Sequence, residues 1–225
     1  MAEPPFDQNV VPFPARRWTG GAGLPARDPR PVRRAERRAT VLFAELRGFR
    51  AVADERGRPQ TELAIGKTVD RVLEGLMEFG AFDVTLDGPP MQPVVSATFE
   101  GRNHAFRALR AADSIRSAVG EAGSLAPPGR KLQACVGLNT GDIVEMAMGE
   151  ETPVAWGEVG VLRTLAARLQ EFAGPGQIFL SQRTSDEVEG LVTVRPVGEV
   201  RVNADGESRQ AFCLVSLAPP PTSGA

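Results

Sequence analysis

The chain has a single histidine, His104, and only two cysteines, Cys135 and Cys213, in 225 residues. A zinc centre needs several such side chains at short, fixed spacings, so a histidine–cysteine metal site is excluded. His104 follows Asn103 at a predicted helix start and is expected at the surface. Both cysteines sit inside apolar, strand-like runs and read as buried free thiols. No stretch approaches the roughly 18 apolar residues that cross a bilayer, and the N-terminus carries no apolar leader. The chain therefore reads as soluble and cytoplasmic, with no membrane partner. Charge of one sign is also missing: a formal net charge of −2 gives no overall pull toward nucleic acid. No internal repeat is visible.

What is present is globular. Apolar residues make up 42% and charged residues 24%, ordinary values for a folded domain, and the length suits one domain with tails. Residues 1–38 stand apart, with seven prolines, eight arginines, four acids and no lysine. They read as a disordered Pro/Arg-rich tail, either solvated or serving as a docking arm with Phe6, Phe13 and Trp18 as anchors. Residues 33–38 read as the start of a helix leading into the domain. The domain itself spans 39–217, and 218–225 is a second disordered tail.

Along the domain, residues 40–44 (TVLFA) predict a short buried strand running into Glu45-Leu46-Arg47-Gly48-Phe49. Two helices follow, the second placing Ile65, Val69, Val72, Leu73 and Leu76 on one stripe. Residues 81–86 and 94–99 predict strands joined by a stiff connection with three prolines. Residues 104–119 predict an amphipathic helix that buries Ala105, Ala108, Leu109, Ala112, Ile115 and Val119. Two apolar runs, 132–138 and 143–148, flank Asn139-Thr140-Gly141-Asp142, which reads as a turn with Gly at positive φ. Leu162, Leu165, Ala166, Leu169 and Phe172 recur at helical spacing, Gly174-Pro175-Gly176 stops that helix, and 178–180 begins another strand. A short helix near 184–188 and strands near 191–196, 199–202 and 209–215 complete the order.

Four of these stretches, FAELRGF (43–49), VGLNTGDIV (136–144), GVLRTLAARL (160–169) and GPGQIFLS (174–181), resemble the catalytic domain of class III adenylyl/guanylyl cyclases, over about residues 37–217. The resemblance implies an α+β sandwich: a mixed, mostly antiparallel sheet with flanking helices. It also implies a reaction in which a nucleotide's ribose 3′-hydroxyl attacks its own α-phosphate. Two metal ions assist, held by two aspartates, and two chains complete one site.

Carried over residue by residue, the scaffold matches and the chemistry does not. Glu45 stands at the first aspartate, a longer acid that reads as a weakened Mg²⁺ ligand or as a remnant acid at a strand end. Pro93 falls at the second aspartate and Pro89 near the base-reading lysine. Asp87 could act as a metal ligand only if the hairpin folds back; otherwise it starts a turn. Gly48 and Phe49 form a turn that would face phosphate. On the helix, Val161 replaces the base-reading acid and Thr164 the ribose asparagine. Arg168 alone is kept, as a catalytic relict or as an interface or surface arginine paired with Glu171.

Lost ligands on an intact scaffold imply a non-catalytic cyclase-homology domain, a regulatory or dimerisation module working as a homodimer or with another cyclase-like chain. It needs no cofactor. Two alternatives remain: a weakly active adenylate or guanylate cyclase using Mg²⁺ or Mn²⁺ and ATP or GTP, and a small-molecule binder that uses the relict cleft without turnover.

Overall fold

The computed structural model describes residues 33–126, 131–147, 154–156, 158–202 and 207–217. Residues 1–32, with Phe6, Phe13 and Trp18, and residues 218–225 lie outside the described residues, as does Met148. Residues 33–38 are not a helix start. They open strand β1, Arg33–Arg47, which pairs antiparallel with β4, Gln133–Ala147, from Arg33↔Ala147 to Arg47↔Gln133. A long partner strand supplies a ladder bond along the whole run, which overrides the helix propensity of Arg, Ala and Glu.

After β1 come α1, Phe49–Arg56, and α2, Arg58–Glu78, then the hairpin of β2, Phe82–Asp87, and β3, Val94–Glu100, and then α3, His104–Glu121. Beyond β4 follow β5, Val154–Trp156, α4, Glu158–Phe172, β6, Ile178–Ser181, α5, Gln182–Glu187, β7, Val192–Arg201, and β8, Ser208–Leu217. The strands form one sheet in the order β2-β3-β1-β4-β6-β8-β7, with β5 also on β4. Among the described strands only β4 and β6 run parallel. The fold is therefore the expected α+β one, a mixed and mostly antiparallel sheet with helices on both faces.

Strand alternation assigns the faces. Leu42, Ala44 and Leu46 of β1 are fully buried in the main core with α1, α2 and α3, whereas Ala39 and Val41 pack with Leu162 and Ala166 of α4 on the other side. The predicted buried face of α3 is buried at every position, and the helix buries five alanines in all, which let it approach the sheet closely.

Two sequence expectations fail for one physical reason: long-range contacts outweigh local turn chemistry. Asn139-Thr140-Gly141-Asp142 is not a turn but the middle of β4, paired residue by residue with β1. Gly141 serves packing, since a Cβ there would lie 2.3 Å from Leu162 Cδ2. Similarly, 191–196 and 199–202 merge into β7. This edge strand accommodates Pro196 and a register shift near Gly198, whose φ is +100°.

His104 also departs from expectation. It is buried, sharing a 2.8 Å hydrogen bond between Nδ1 and Thr40 Oγ1. The chain of hydroxyls continues through Thr140 at 2.8 Å to Thr184 at 3.0 Å. Burial lowers the His104 pKa; attraction by Glu187 opposes the shift, and repulsion by Arg107 and Arg38 adds to it. Cys135 and Cys213 are buried free thiols, as expected. Among the described residues, no helix is long and apolar enough to cross a membrane.

Candidate functional site

The aligned site residues gather where β1 ends, where the β2–β3 hairpin turns, and along α4. Glu45 lies on the α4 side of β1, two residues from Arg47 and hence on the same face as it. The residue is 7% exposed, and both carboxylate oxygens accept hydrogen bonds. Oε2 accepts Arg47 Nε at 2.8 Å, Arg47 Nη2 at 2.5 Å and Gln170 Nε2 at 2.6 Å. Oε1 accepts Gln92 Nε2. Three donors thus crowd Oε2, while Oε1 takes one and keeps a free lone pair. Burial pushes the Glu45 pKa up, but hydrogen bonds from Arg47 and Gln92, the attraction of Arg47 and the hydrogen bond from Gln170 together hold it below the usual value.

The hairpin is built to present Gln92, not an acid. Gly88 sits at φ +90°, where an added Cβ would stand 2.6 Å from the Gln92 carbonyl oxygen. Gln92 N donates to Pro89 O at 2.8 Å, closing the turn, and Leu46 N donates to Pro93 O at 2.9 Å, tying the hairpin to β1. Pro93 offers only that carbonyl. Asp87 stays in β2, exposed, accepting from Thr85 Oγ1 at 3.2 Å. Val94 is opposite both Asp87 and Glu45, so the two acids stand two strand spacings apart, about 10 Å. The hairpin reaches Glu45 through Gln92 and does not bring Asp87 to it.

Gly48 is required by the backbone: its φ is +106°, and a Cβ would stand 2.6 Å from Lys131 O. Phe49 is fully buried in the main core, so its side chain anchors α1 and the turn reaches any ligand only through its backbone.

On α4, Val161, Thr164 and Arg168 share the exposed face. Val161 is 66% exposed. The Thr164 hydroxyl donates back to Gly160 O at 2.8 Å, and Arg168 pairs with Glu171 at 2.7 Å with both side chains about half exposed. Such a surface pair contributes at most about 1 kcal/mol. The opposite flank carries two residues that motif comparison missed. Gln170 reaches Glu45, and Arg163 donates to Ser96 Oγ at 2.8 Å, lies 3.5 Å from Asp83 and stacks 5.2 Å over the Phe43 ring. Their signal was weak: polar residues seven apart on a flank facing the sheet.

Two divalent ions do not fit these residues. The one aligned acid is engaged by a guanidinium and two amides, and the second aligned position is a proline. Among the described residues, no three or more His, Cys, Asp or Glu converge. A separate cavity of about 410 Å³ lies beside α4, lined by Asn139, Thr140, Asp142, Val161, Leu165 and Arg183 among others; Glu45, Thr164 and Arg168 do not line it.

No family model matches the sequence, and no curated protein matches it. Solved structures do. The adenylyl cyclase CyaB from P. aeruginosa is 18% identical with a TM-score of 0.65, covering 85% of this chain and all of that one. The guanylate cyclase domain of RhGC from Catenaria anguillulae, in complex with GTP, is 18% identical with a TM-score of 0.62, covering 82% of this chain and all of that one. The guanylyl cyclase domain of RhoGC from Blastocladiella emersonii, in a dimeric form, is 16% identical with a TM-score of 0.61, covering 84% of this chain and 99% of that one; a monomeric form of the same domain is also similar. The chain has the fold of the class III adenylyl/guanylyl cyclase catalytic domain.

Proposed function

We propose that this chain is a non-catalytic cyclase-fold domain, a regulatory or pairing module whose partner is a second copy or another cyclase-like chain. The observation that carries this is the state of Glu45: buried and neutralised by Arg47, with Pro93 at the aligned position where the fold's catalytic members need a second carboxylate. Cyclisation requires two ions placed together on two acids, and here one acid is already committed. Val161 on the exposed face of α4 further removes a polar reader of the base. What remains of the fold is shape, and shape suits pairing; the Blastocladiella domain, solved in dimeric and monomeric forms, supports an association that is not obligatory.

The test is incubation with ATP or GTP and Mn²⁺, followed by detection of cyclic nucleotide. No cyclic AMP or cyclic GMP is expected. Robust product that Arg168→Ala abolishes would replace the pairing module with an enzyme.

A further inference from the structure

We infer that Arg47 is a resident cation: its guanidinium occupies, for Glu45, the electrostatic role that a divalent ion holds in the catalytic members of this fold. The inference rests on the non-catalytic reading and names the residue that makes it permanent. Three features carry it. Arg47 reaches Glu45 from the same strand face, with both Nε and Nη2 on one oxygen at 2.8 and 2.5 Å. Gln92, from the hairpin, and Gln170, from α4, donate to the same carboxylate, so an ion entering at Oε2 must displace Arg47 or Gln170, and Gln170 would lose its partner in a buried place. Finally, the donors come from three separate elements, so the Glu45 carboxylate that Arg47 keeps charged also fastens the hairpin, through Gln92, and α4, through Gln170, to β1. The counter-charge of Glu45 is therefore covalently part of the chain.

The cluster is neutral with Arg47 in place. Adding a divalent ion would set it against a fixed positive charge. Removing the guanidinium should therefore do more than loosen the fold: it should leave a buried acid with two amide neighbours and a need for a cation.

The experiment is titration of Mn²⁺ followed by electron paramagnetic resonance, on the full chain and on Glu45→Gln, Arg47→Lys, Arg47→Met and Arg47→Met with Glu45→Gln. The unmodified chain and Arg47→Lys, which keeps an internal positive charge, should bind no ion with millimolar or better affinity. Arg47→Met should gain one site, at least ten-fold tighter than any site of the parent, and the double variant should lose it. If Arg47→Met is unfolded without metal, Mn²⁺ should restore its circular dichroism, because a ligand of the folded state alone shifts the equilibrium toward it. Mn²⁺ binding by the unmodified chain that Glu45→Gln removes would overturn the inference. So would an Arg47→Met variant, folded or not, that gains nothing from Mn²⁺. Cyclic-nucleotide formation would instead overturn the non-catalytic reading, and the resonance measurement decides the role of Arg47 separately.

Discussion

Arg163 and Gln170 stand seven residues apart on one flank of α4 and both grip the sheet, Arg163 through Ser96 Oγ at 2.8 Å and Gln170 through Glu45 at 2.6 Å. The helix is thus held at two points, one over β3 and one over the end of β1. Between them lies the sheet face that leads from Phe43 to Glu45. The side chains that close this face belong to the chain itself, and Arg163 adds a stacking contact on Phe43.

Arg163→Ala should loosen that hold without unfolding the domain. The lost hydrogen bond and the partly buried cation–π contact are each worth about 1 kcal/mol, and Ser96 keeps Thr85 as a partner at 2.8 Å. Thermal unfolding should show a loss of about 1–2 kcal/mol, while Arg168→Ala, at the exposed pair with Glu171, should shift stability by less than about 0.5 kcal/mol. Equal effects from the two would show that Arg163 is an ordinary surface arginine.

Acid should destabilise the domain in two stages. His104 has a lowered pKa in the fold, so its contribution is complete above the ordinary value of about 6.5. It declines as pH falls below that value, because the unfolded chain takes up a proton that the folded chain refuses. The slope from this one group cannot exceed about 1.4 kcal/mol per pH unit. Glu45, also lowered, contributes fully above its ordinary value of 4.5, and that contribution is lost as pH drops toward its folded value. Unfolding curves of His104→Gln should be flatter between about pH 6.5 and 5. An unchanged slope there would remove His104 from the account.

Two glycines should respond in opposite directions. A Cβ at Gly137 would stand 2.2 Å from Ala166 O and 2.3 Å from Gln170 N, both backbone atoms of α4. Gly137→Ala must lift the helix off β4, with a cost of about 3 kcal/mol or more and disturbance of the Gln170–Glu45 contact. Gly66, in the middle of α2, has nothing within 4 Å of an added Cβ. Gly66→Ala should raise stability by roughly 1 kcal/mol through helix propensity. Denaturant midpoints of the two variants on the same side of the parent would contradict this packing account.

These residues also mark how far the sequence could be read. The stripes of α2 and α3 are legible because helical periodicity reports burial directly, whereas the cyclase resemblance rests on four short motifs. Gly137 and Gly141 stand out in the sequence, but Asn-Thr-Gly-Asp is locally good turn chemistry and points Gly141 to a turn. What overrode it was the β1 partner and the approach of Leu162, neither of which is local. Glu45 could be placed by its motif, yet its partners could not. Gln92 and Gln170 lie 47 and 125 residues away, amides carry no motif of their own, and Arg47 is a variable position within the pattern. His104 was misplaced because a histidine at a helix start is ordinarily wet, and only the hydroxyl chain beneath it gives it a dry partner.

The pairing proposal makes its sharpest demand on the outer face of α4. Val161 and Phe172 are 66% and 56% exposed, eleven residues or about three turns apart and therefore near one line along the helix. Arg168 lies between them. Two large exposed apolar side chains flanking an arginine resemble the anchors of a protein interface more than a solvated helix face. Val161→Glu with Phe172→Glu should leave the domain folded, since neither side chain belongs to the core, and each change should move stability by no more than about 0.5 kcal/mol. Association measured by sedimentation at micromolar concentration, with itself or with a cyclase-like partner, should weaken at least ten-fold. A double variant that associates as well as the parent would place the contact on another surface. A parent chain that stays monomeric and ignores every cyclase-like chain offered to it would end the pairing proposal altogether.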